Sequence, residues 1–380
     1  MAQWKAGWAQ RIAIAIDDTN VDATLTWFAV PLIINSSCGI GADDMATIVF
    51  GELGASYLKL AVTKDDGVTE LKVEKEEWTY NAGTVADSTG VLWVSITGWE
   101  IPTSGATIYL YYDAGHADNT TNVGVIGSTV GEDVWDANAM ATYHMVDATT
   151  ATVLDSTDNS HDIAKKAANQ PVELAGEIAE AQRLDGTDDY MTLPSSNDFT
   201  PASGTFETWI RREEDWDIDE QAWTIAWCKP DGSYNGNGWY LTVDTRPDPN
   251  WYALVAVWDG AGTANTVVEI DPNTFFPLDT WVHIALKWTA SGAAKIFKNG
   301  VSQTVVDGFT SVTPSGDNSW LGFSSPTYAN GHIQADYDET RFSDTPRADA
   351  WIKANFYAQS DNFLTWGDVE IGFIPQVTMF

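Results

Sequence analysis

The chain has 380 residues, enough for two or three domains that each bury a hydrophobic core. Its 54 acidic residues against 19 basic ones leave a formal net charge of -35. Such a charge repels phosphate backbones and anionic lipid head groups, which argues against nucleic acid and membrane surfaces as partners. No apolar run approaches the length of a membrane-spanning helix, so we also expect no membrane insertion.

The amino terminus reads MAQWKAGWAQRIAIAIDD and lacks the basic region, apolar stretch and small-residue cleavage site of a secretory signal. We therefore expect no export signal, although a processed start would look the same. Cys38 and Cys228 fall in different predicted domains, so we expect two buried thiols rather than a disulfide.

Short alternating apolar runs dominate the chain, as in Ile12, Ile14 and Ile16, and this period of two predicts β-strands. A strand at 107–112 is followed by a loop rich in Gly, Asp, Asn and Thr. The sequence thus predicts a first β-domain at residues 1–115, a linker at 116–133, and a second β-domain at 134–367. Residues 368–380 form an apolar tail, either a last strand or an assembly arm.

The segment at 336–367 predicts a strand over Tyr337 to Phe342 and then a short helix. Asp344 followed by Thr345 and Pro346 resembles a helix cap with proline at the first helical position, so the helix should begin near Pro346. Helical spacing predicts that one apolar face of this helix docks on a sheet. That face consists of Ala348, Trp351, Ile352 and Phe356.

The first domain contains a tryptophan-containing first strand at 8–16, the stretch LKLAVTKDDGVTELKVEKEEW from Leu58, LWVSI from Leu92 and TIYLYYDAGHA from Thr107. These four segments resemble the family DUF2341, a β-sandwich module of unknown function that often precedes laminin-G-like domains. Asp113 and Ala114 replace the Gly-Asn pair that usually ends the module.

The second domain contains TYHMVD from Thr142, RLDGTDDYMTLP from Arg183, GTFETWIR from Gly204 and WVHIALKW from Trp281. The first two resemble the opening strands of the laminin-G-like, concanavalin A-type jelly roll, and the last two resemble two of its central strands. KIFKNGVSQ from Lys295 matches a hairpin, whose Asn299-Gly300 pair favours a type I′ turn. The resemblance implies an all-β chain of two antiparallel sandwiches, the second a jelly roll with a short carboxyl-terminal helix.

Many domains of this kind carry one calcium ion, so the resemblance implies Ca²⁺ as a cofactor. It places the best ligand at Asp338, with Asp147 and the carbonyl region around Asp185 and Gly186 as further ligands. Calcium takes several oxygen ligands at once, and carboxylates distant in sequence would be joined by it. The alternative is that Asp338 caps a turn or pairs with Arg341.

Nineteen tryptophans suggest sugar binding, because an indole face stacks on the apolar face of a sugar ring. Trp216, Trp223 and Trp239 bracket loops that carry Gly and Asp, and they are our candidate glycan-binding residues. Trp227, Trp251 and Trp258 lie in the same middle region. The alternative is that these side chains fill the sandwich core, as tryptophan commonly does.

Catalytic motifs have little support, and we expect no enzyme activity. Jelly-roll glycosidases carry paired carboxylates on a strand reading Glu-x-Asp-x-x-Glu, and EEDWDIDEQ at 213–221 does not fit this spacing. The five histidines are scattered singly, which gives no support for a zinc site or a Ser-His-Asp triad.

These observations favour a non-enzymatic, adhesive surface protein whose jelly roll binds glycans weakly and in many copies. We expect it on a virion surface, as a phage decoration or tail-associated protein, with cell-surface glycans and other virion proteins or copies of itself as partners. Such a protein is expected to form a homo-oligomer or lattice. One alternative is a secreted bacterial adhesin or extracellular-matrix protein at the cell surface, and another is a carbohydrate-active enzyme.

Overall fold

The computed structural model describes residues 3–168, 170–213, 222–228, 238–244, 253–256, 266–268, 272–304, 306–307, 312, 319–323 and 332–372. The chain divides into two compact units. The first combines Met1–Asp136 with Lys353–Phe380, and the second is Ala137–Ile352. Strands dominate both units, which confirms the predicted all-β class.

The strands before the second unit are β1 (Gln10–Ile16), β2 (Leu25–Thr26), β3 (Val30–Ile34), β4 (Leu60–Thr63), β5 (Lys72–Thr79), β6 (Thr89–Ser95), β7 (Glu100–Ile101), β8 (Ala106–Tyr112) and β9 (Val123–Val125). The strands that follow are β10 (Ala139–Tyr143), β11 (Asp147–Thr149), β12 (Thr152–Val153), β13 (Ile163–Lys165), β14 (Val172–Ala175), β15 (Glu180–Asp185), β16 (Met191–Leu193), β17 (Gly204–Arg212), β18 (Ala222–Cys228), β19 (Trp239–Asp244), β20 (Ala253–Ala256), β21 (Thr266–Val268), β22 (Trp281–Thr289), β23 (Ala293–Lys298), β24 (Val301–Ser302), β25 (Val306–Asp307), β26 (Ser319–Leu321), β27 (Gln334–Ser343) and β28 (Leu364–Ile371).

The helices are short: α1 (Gly51–Leu53), α2 (Thr129–Glu132), α3 (Pro272–Phe275) and α4 (Asp349–Gln359). A π-helical turn (Ala46–Phe50) and three 3₁₀ turns (Asp18–Asn20, Val85–Asp87 and Asn197–Phe199) complete the elements. Within the described ranges, none of the helices is long and apolar enough to cross a membrane.

The first unit contains two larger sheets. One has the strand order β28-β1-β8-β4 and is antiparallel; the other has the order β3-β6-β5-β9, with β9 parallel to β5. Alternation along β1 buries Ile12, Ile14 and Ile16, and β8 buries Ile108 and Leu110 in the same way. The period-two pattern therefore marks the core-facing side of these strands.

The carboxyl-terminal boundary differs from the sequence expectation of a second domain ending at 367 and a tail from 368. Strand β28 crosses that limit and pairs antiparallel with β1, from Ile16 opposite Leu364 to Gln10 opposite Ile371. Leu364 and Trp366 are buried. A strand pattern reveals this element, but its partner lies more than three hundred residues away and leaves no local signal.

The predicted linker at 116–133 is also structured. Strand β9 extends the second sheet beside β5, with Val73 opposite Val123. The side-chain hydroxyl of Ser128 caps helix α2 by accepting the Gly131 N–H. Turn-forming residues dominate this segment, so its sequence pattern predicts a loop and not the three-residue strand β9.

In the described part of the second unit, one sheet has the order β14-β15-β27-β17-β22-β23-β24, with β10 also pairing with β27. The other has the order β11-β12-β13-β16-β26-β18-β19-β20-β21-β25. The central pairing of β17 with β22 joins the two segments expected at the centre. Asn299 and Gly300 have φ of 49° and 73°, so the expected type I′ turn between β23 and β24 is confirmed.

Helix α4 begins at Asp349, three residues after the expected start at Pro346, which lies outside the helix. The Trp351 N–H donates to the Ala348 carbonyl at this end of the helix. Ile352 is fully buried and packs on Ala285 of β22 and Phe297 of β23. The expected apolar face is only partly correct, since Trp351 and Phe356 are half-buried and Ala348 is exposed.

We predict that truncation after Ser360, which removes β28, lowers the free energy of unfolding by at least about 2–4 kcal/mol. The loss follows from exposing the edge of β1 and from removing the buried Leu364 and Trp366. Truncation after Gly372, which keeps β28, is the matched control and should change stability by less than about 1 kcal/mol. Chemical denaturation measures both variants. Equal stability of the Ser360 truncation and the full chain would contradict the role of β28.

Candidate functional site

We call residues 185–189, with the sequence DGTDD, the aspartate turn; it joins β15 to the segment before β16. Oδ1 of Asp185 accepts hydrogen bonds from the backbone N–H groups of Thr187 at 2.8 Å, Asp188 at 3.1 Å and Asp189 at 3.4 Å. Gly186 adopts the left-handed conformation, with φ of 72°, that the tight turn requires. The turn is thus fixed by its own first carboxylate.

Asp189 is the buried member of the aspartate turn, with 4% of its surface exposed. Its Oδ2 accepts the backbone N–H of Asp185 at 3.1 Å, whereas its buried Oδ1 has no hydrogen-bond partner among the described residues. Burial, together with the charges of Asp185 and Asp188, raises the pKa of Asp189 to about 6. An ionised Asp189 therefore lacks the compensation that a buried charge normally requires.

The three carboxylates of the aspartate turn converge. Asp185, Asp188 and Asp189 each place one oxygen within 4.8 Å of the others. The Lys166 ammonium pairs with Asp188 Oδ2 and is half-buried beside the turn. The hydrogen bonds that Asp185 accepts lower its pKa despite the opposing effect of burial, so this exposed group stays ionised.

Three rings form what we call the aromatic patch: Tyr190, Phe323 and His332. Phe323 stacks on His332 with ring centroids 4.3 Å apart and on Tyr190 with centroids 5.0 Å apart. His332 Nδ1 lies 3.1 Å from the Asp189 carbonyl oxygen, which ties the patch to the aspartate turn. Tyr190 and His332 are half-buried.

The aromatic patch belongs to a cluster on the opposite side of its sheet from the core. Strand β19 directs Trp239 and Leu241 into the core cluster, while Tyr240 between them joins the separate cluster. Strand β26 likewise directs Leu321 inward and Trp320 outward. The separate cluster comprises Trp227, Tyr240, Trp320 and Phe323, with Tyr190 packed against it.

The structure gives Asp338, the expected calcium ligand, other partners. Asp338 is fully buried; its Oδ2 accepts the Ile178 N–H at 2.9 Å and its Oδ1 accepts the Glu339 N–H at 2.7 Å. A Cβ on Gly176 would lie 2.5 Å from Oδ2, so a glycine is needed for this approach. Arg341 pairs with Glu339 at 2.6 Å. Asp338 thus anchors the loop at 176–178.

Asp147, the second expected ligand, forms an ion pair. The Lys165 ammonium lies 2.8 Å from Asp147 Oδ1 and 3.0 Å from Oδ2, and it also donates to Gln182 Oε1 at 2.8 Å. Among the described residues, neither Asp147 nor Asp338 belongs to a group of three convergent candidate ligands. Asp147 and Asp338 as calcium ligands therefore stay a prediction, and Asp185 and Gly186 lie in the aspartate turn.

The expected tryptophan platforms are not on a binding surface where the structure describes them. Trp223 and Trp239 belong to the core cluster, and the Trp239 indole N–H donates to the Phe199 carbonyl at 2.8 Å. A buried indole offers no face to a sugar, so the core interpretation is correct for both. Trp216, Trp251 and Trp258 lie outside the described residues.

Of the acidic segment considered for catalysis, only Glu213 lies in the described part of the chain, and it pairs with Arg183. Sequence reasoning did not select Asp188, Asp189 and Tyr190, although three aspartates in five residues before a tyrosine are a visible signal. Phe323 and His332 carried no such signal, since they reach the turn only through folding.

Residues 185–353 match the family model described as the concanavalin A-like lectin/glucanases superfamily. The matched range is less than half of the chain. This match, together with the two antiparallel sheets of the second unit, defines a concanavalin A-like jelly-roll domain. The jelly roll inferred from the sequence is confirmed in that range. None of the curated proteins matches the chain.

Three solved structures are among those to which the chain is similar. The binding domain of botulinum neurotoxin serotype D has a TM-score of 0.45 and 10% identity, and the match covers 58% of this chain and 52% of that one. The binding domain of Paraclostridial Mosquitocidal Protein 1 has a TM-score of 0.45, 12% identity and the same coverages. Domain 4 of the arabinanase AbnA from Geobacillus stearothermophilus, in complex with arabinotriose, has a TM-score of 0.39 and 19% identity, covering 58% and 98%. The chain spans about half the length of the toxin domains it matches.

We predict that Asp189→Asn raises the melting temperature at pH 8, in chelator, by about 2–6 °C. The folded-state pKa of about 6 exceeds the ordinary aspartate pKa of 3.8, so ionisation of Asp189 destabilises the fold above pH 6 and has no effect on stability below pH 3.8. The advantage of Asn should therefore shrink as the pH falls and vanish near pH 4.

Calorimetric scans of both chains at matched pH measure this difference. The comparison cancels the contribution of Asp361, whose pKa burial also raises to about 6. The groups facing Asp189 are Asp185, Asp188, Lys166 and His332, and all remain in both chains. A lower melting temperature for Asn at pH 8 would contradict the prediction.

Proposed function

We propose that the jelly-roll unit binds carbohydrate at the candidate site formed by the aspartate turn and the aromatic patch. The observation that carries this proposal is the half-buried ring of Tyr190, which directly follows three convergent carboxylates on the outer side of the sheet. An aromatic ring stacks on the apolar face of a sugar, and carboxylate oxygens accept hydrogen bonds from its hydroxyl groups.

The surroundings of Tyr190 support this role. Phe323 stacks on one side of the patch and His332 is held by the Asp189 carbonyl, so the rings are positioned before a ligand arrives. Preorganised groups lose little conformational entropy on binding. The family model matched by 185–353 includes lectins, which agrees with a binding role, and it also includes glucanases.

The setting of this activity stays a prediction from the sequence. A virion surface protein and a secreted adhesin both present the jelly roll at a surface, and both could gain avidity from many weak sites. They differ in assembly, because the virion model requires the chain to repeat on a capsid or tail lattice. Electron microscopy of the native source distinguishes them.

The carbohydrate-active enzyme stays the alternative in a different class. An enzyme of this class would cleave the glycan that it binds, whereas a binding domain would leave the glycan intact. Incubating the full chain with any glycan it binds and assaying new reducing ends separates the two. Release of reducing sugar above a heat-denatured control would favour the enzyme.

We predict that the full chain binds at least one glycan class on an array and that Tyr190→Ala weakens this binding about 3- to 10-fold, the loss expected for one aromatic stacking contact. Tyr80→Ala is the matched control, because Tyr80 is an exposed tyrosine of the first unit and should leave binding unchanged. Titration calorimetry with the best glycan measures both variants.

Circular dichroism and melting temperature check that the Tyr190 variant is folded. A folded Tyr190→Ala chain with wild-type affinity would place binding elsewhere and contradict the site. Absence of binding to every glycan class by the full chain would contradict the function itself.

A further inference from the structure

Four side chains form a row across the outer face of the sheet that contains β27. The strand register places Arg183 of β15 and Arg211 of β17 on either side of Asp336 of β27. Trp281 of β22 lies beside Arg211 and ends the row. We call these four residues the guanidinium row. Their neighbours along the same strands point into the core cluster, so the row faces away from the core. These neighbours are Leu184, Ala335, Tyr337, Ile210 and Val282.

Asp336 holds both guanidinium groups in place from a fully buried position. Its Oδ1 accepts a hydrogen bond from Arg183 Nε at 2.8 Å, and its Oδ2 accepts one from Arg183 Nη2 at 3.1 Å. Oδ2 also accepts hydrogen bonds from Arg211 Nε at 2.9 Å and Nη2 at 2.7 Å. The guanidinium carbon of Arg211 lies 4.8 Å from the centre of the Trp281 ring. Both groups are therefore fixed before a ligand arrives, which lowers the entropy lost on binding.

Each guanidinium group keeps donors that the fold does not use. The bonds to Asp336 use Nε and Nη2, and Nη1 of either arginine makes no hydrogen bond with the described residues. The Arg183 and Arg211 side chains are 40% and 23% exposed, whereas Asp336 is inaccessible. The N–H groups on Nη1 can therefore donate to a ligand that lies on the sheet.

Two carboxylates beside the row add hydrogen-bond acceptors. Glu177 lies in the loop at 176–178 that Asp338 anchors, is half-buried, and accepts no hydrogen bond from the described residues. Burial raises the pKa of Glu177, and the nearby charge of Arg211 opposes that rise. Glu213 follows the end of β17 and pairs with Arg183. With Asp336, these carboxylates outnumber the two arginines, so the row has no net positive charge to attract an anion.

We propose that the guanidinium row binds a neutral polysaccharide chain that lies across the strands. Sugar hydroxyl groups accept hydrogen bonds from the two Nη1 groups and donate to Glu177 and Glu213, and the half-buried Trp281 indole contacts sugar C–H groups. Strands lie about 4.8 Å apart, so the row spans roughly 14 Å from β15 to β22 and suits several linked sugar units. This site is separate from the candidate site, whose rings lie on the outer side of the other sheet.

Native gel electrophoresis of the full chain, in gels that contain a soluble polysaccharide, tests the row. The neutral probes are xylan, β-glucan and galactomannan, and the acidic probe is polygalacturonate. Every chain compared carries Tyr190→Ala, which weakens the candidate site. We expect at least one neutral polysaccharide to retard this chain. Polygalacturonate should not retard it, because the carboxylates of the row and the net charge of -35 repel an acidic polymer.

Adding Trp281→Ala to this chain should weaken binding of the retarding polysaccharide about 3- to 10-fold, the loss expected for one aromatic contact. Trp351→Ala is the matched control and should leave binding unchanged. Trp351 is likewise a half-buried indole of the second unit with an arginine, Arg347, 4.3 Å from its ring centre. Glu177→Gln keeps the side-chain volume and should weaken binding at least about threefold, because a charged acceptor becomes neutral. Circular dichroism checks that each variant is folded.

Titration calorimetry then compares the monosaccharide and the tetrasaccharide of the retarding polysaccharide. We expect the tetrasaccharide to bind at least about tenfold more tightly, since one sugar ring cannot reach both arginines. Equal affinity for the two sugars, no retardation by any neutral probe, stronger retardation by polygalacturonate, or equal binding with and without a folded Trp281→Ala change would each overturn the proposal.

The same gels separate this proposal from the sugar-binding function of the candidate site. If Tyr190→Ala binds as tightly as the unchanged chain and Trp281→Ala weakens binding, the row binds the polysaccharide and the candidate site does not. If Tyr190→Ala alone abolishes retardation, the candidate site stands and the row is overturned.

Discussion

The candidate site depends on one set of hydrogen bonds, in which the Asp185 carboxylate accepts three backbone N–H groups of its own turn. It closes the turn after β15 and thereby turns the Asp189 side chain into the protein while Tyr190 continues toward β16. A hydrogen-bonded carboxylate thus holds two further carboxylates together, which electrostatics alone would oppose.

The alternation of side chains across the second sheet determines what stands beside that turn. Each strand that sends one residue into the core sends its neighbour to the outer side, so a well-filled core produces an ordered outer face as well. Leu321 and Trp320 illustrate this on β26, and Trp239 and Tyr240 on β19. The same geometry explains why two expected sugar platforms are core residues: tryptophan frequency says nothing about which face a strand presents.

Sequence patterns predicted the all-β class and the type I′ hairpin, because period-two alternation and turn chemistry are local. The central strands β17 and β22 were instead implied by the resemblance to the laminin-G-like jelly roll. The pairing of β28 with β1 and the contact of His332 with the aspartate turn are long-range, and no local pattern contains them. The resemblance to DUF2341 stays a prediction for residues 1–115. The aspartate turn was within reach of sequence reasoning, but the burial of one aspartate among three is set by the fold.

The carboxylates of this acidic chain differ in how their negative charge is compensated by neighbouring groups. Asp147 pairs with Lys165, and each oxygen of Asp338 accepts one backbone N–H, so both carboxylates have compensating partners. Asp189 has the opposite balance, because burial removes water from Oδ1 without supplying a donor. A surplus of charge over the whole surface attracts cations diffusely and is screened by salt. In the described part of the aspartate turn, Asp189 Oδ1 is instead a buried carboxylate oxygen that folding has left without a donor.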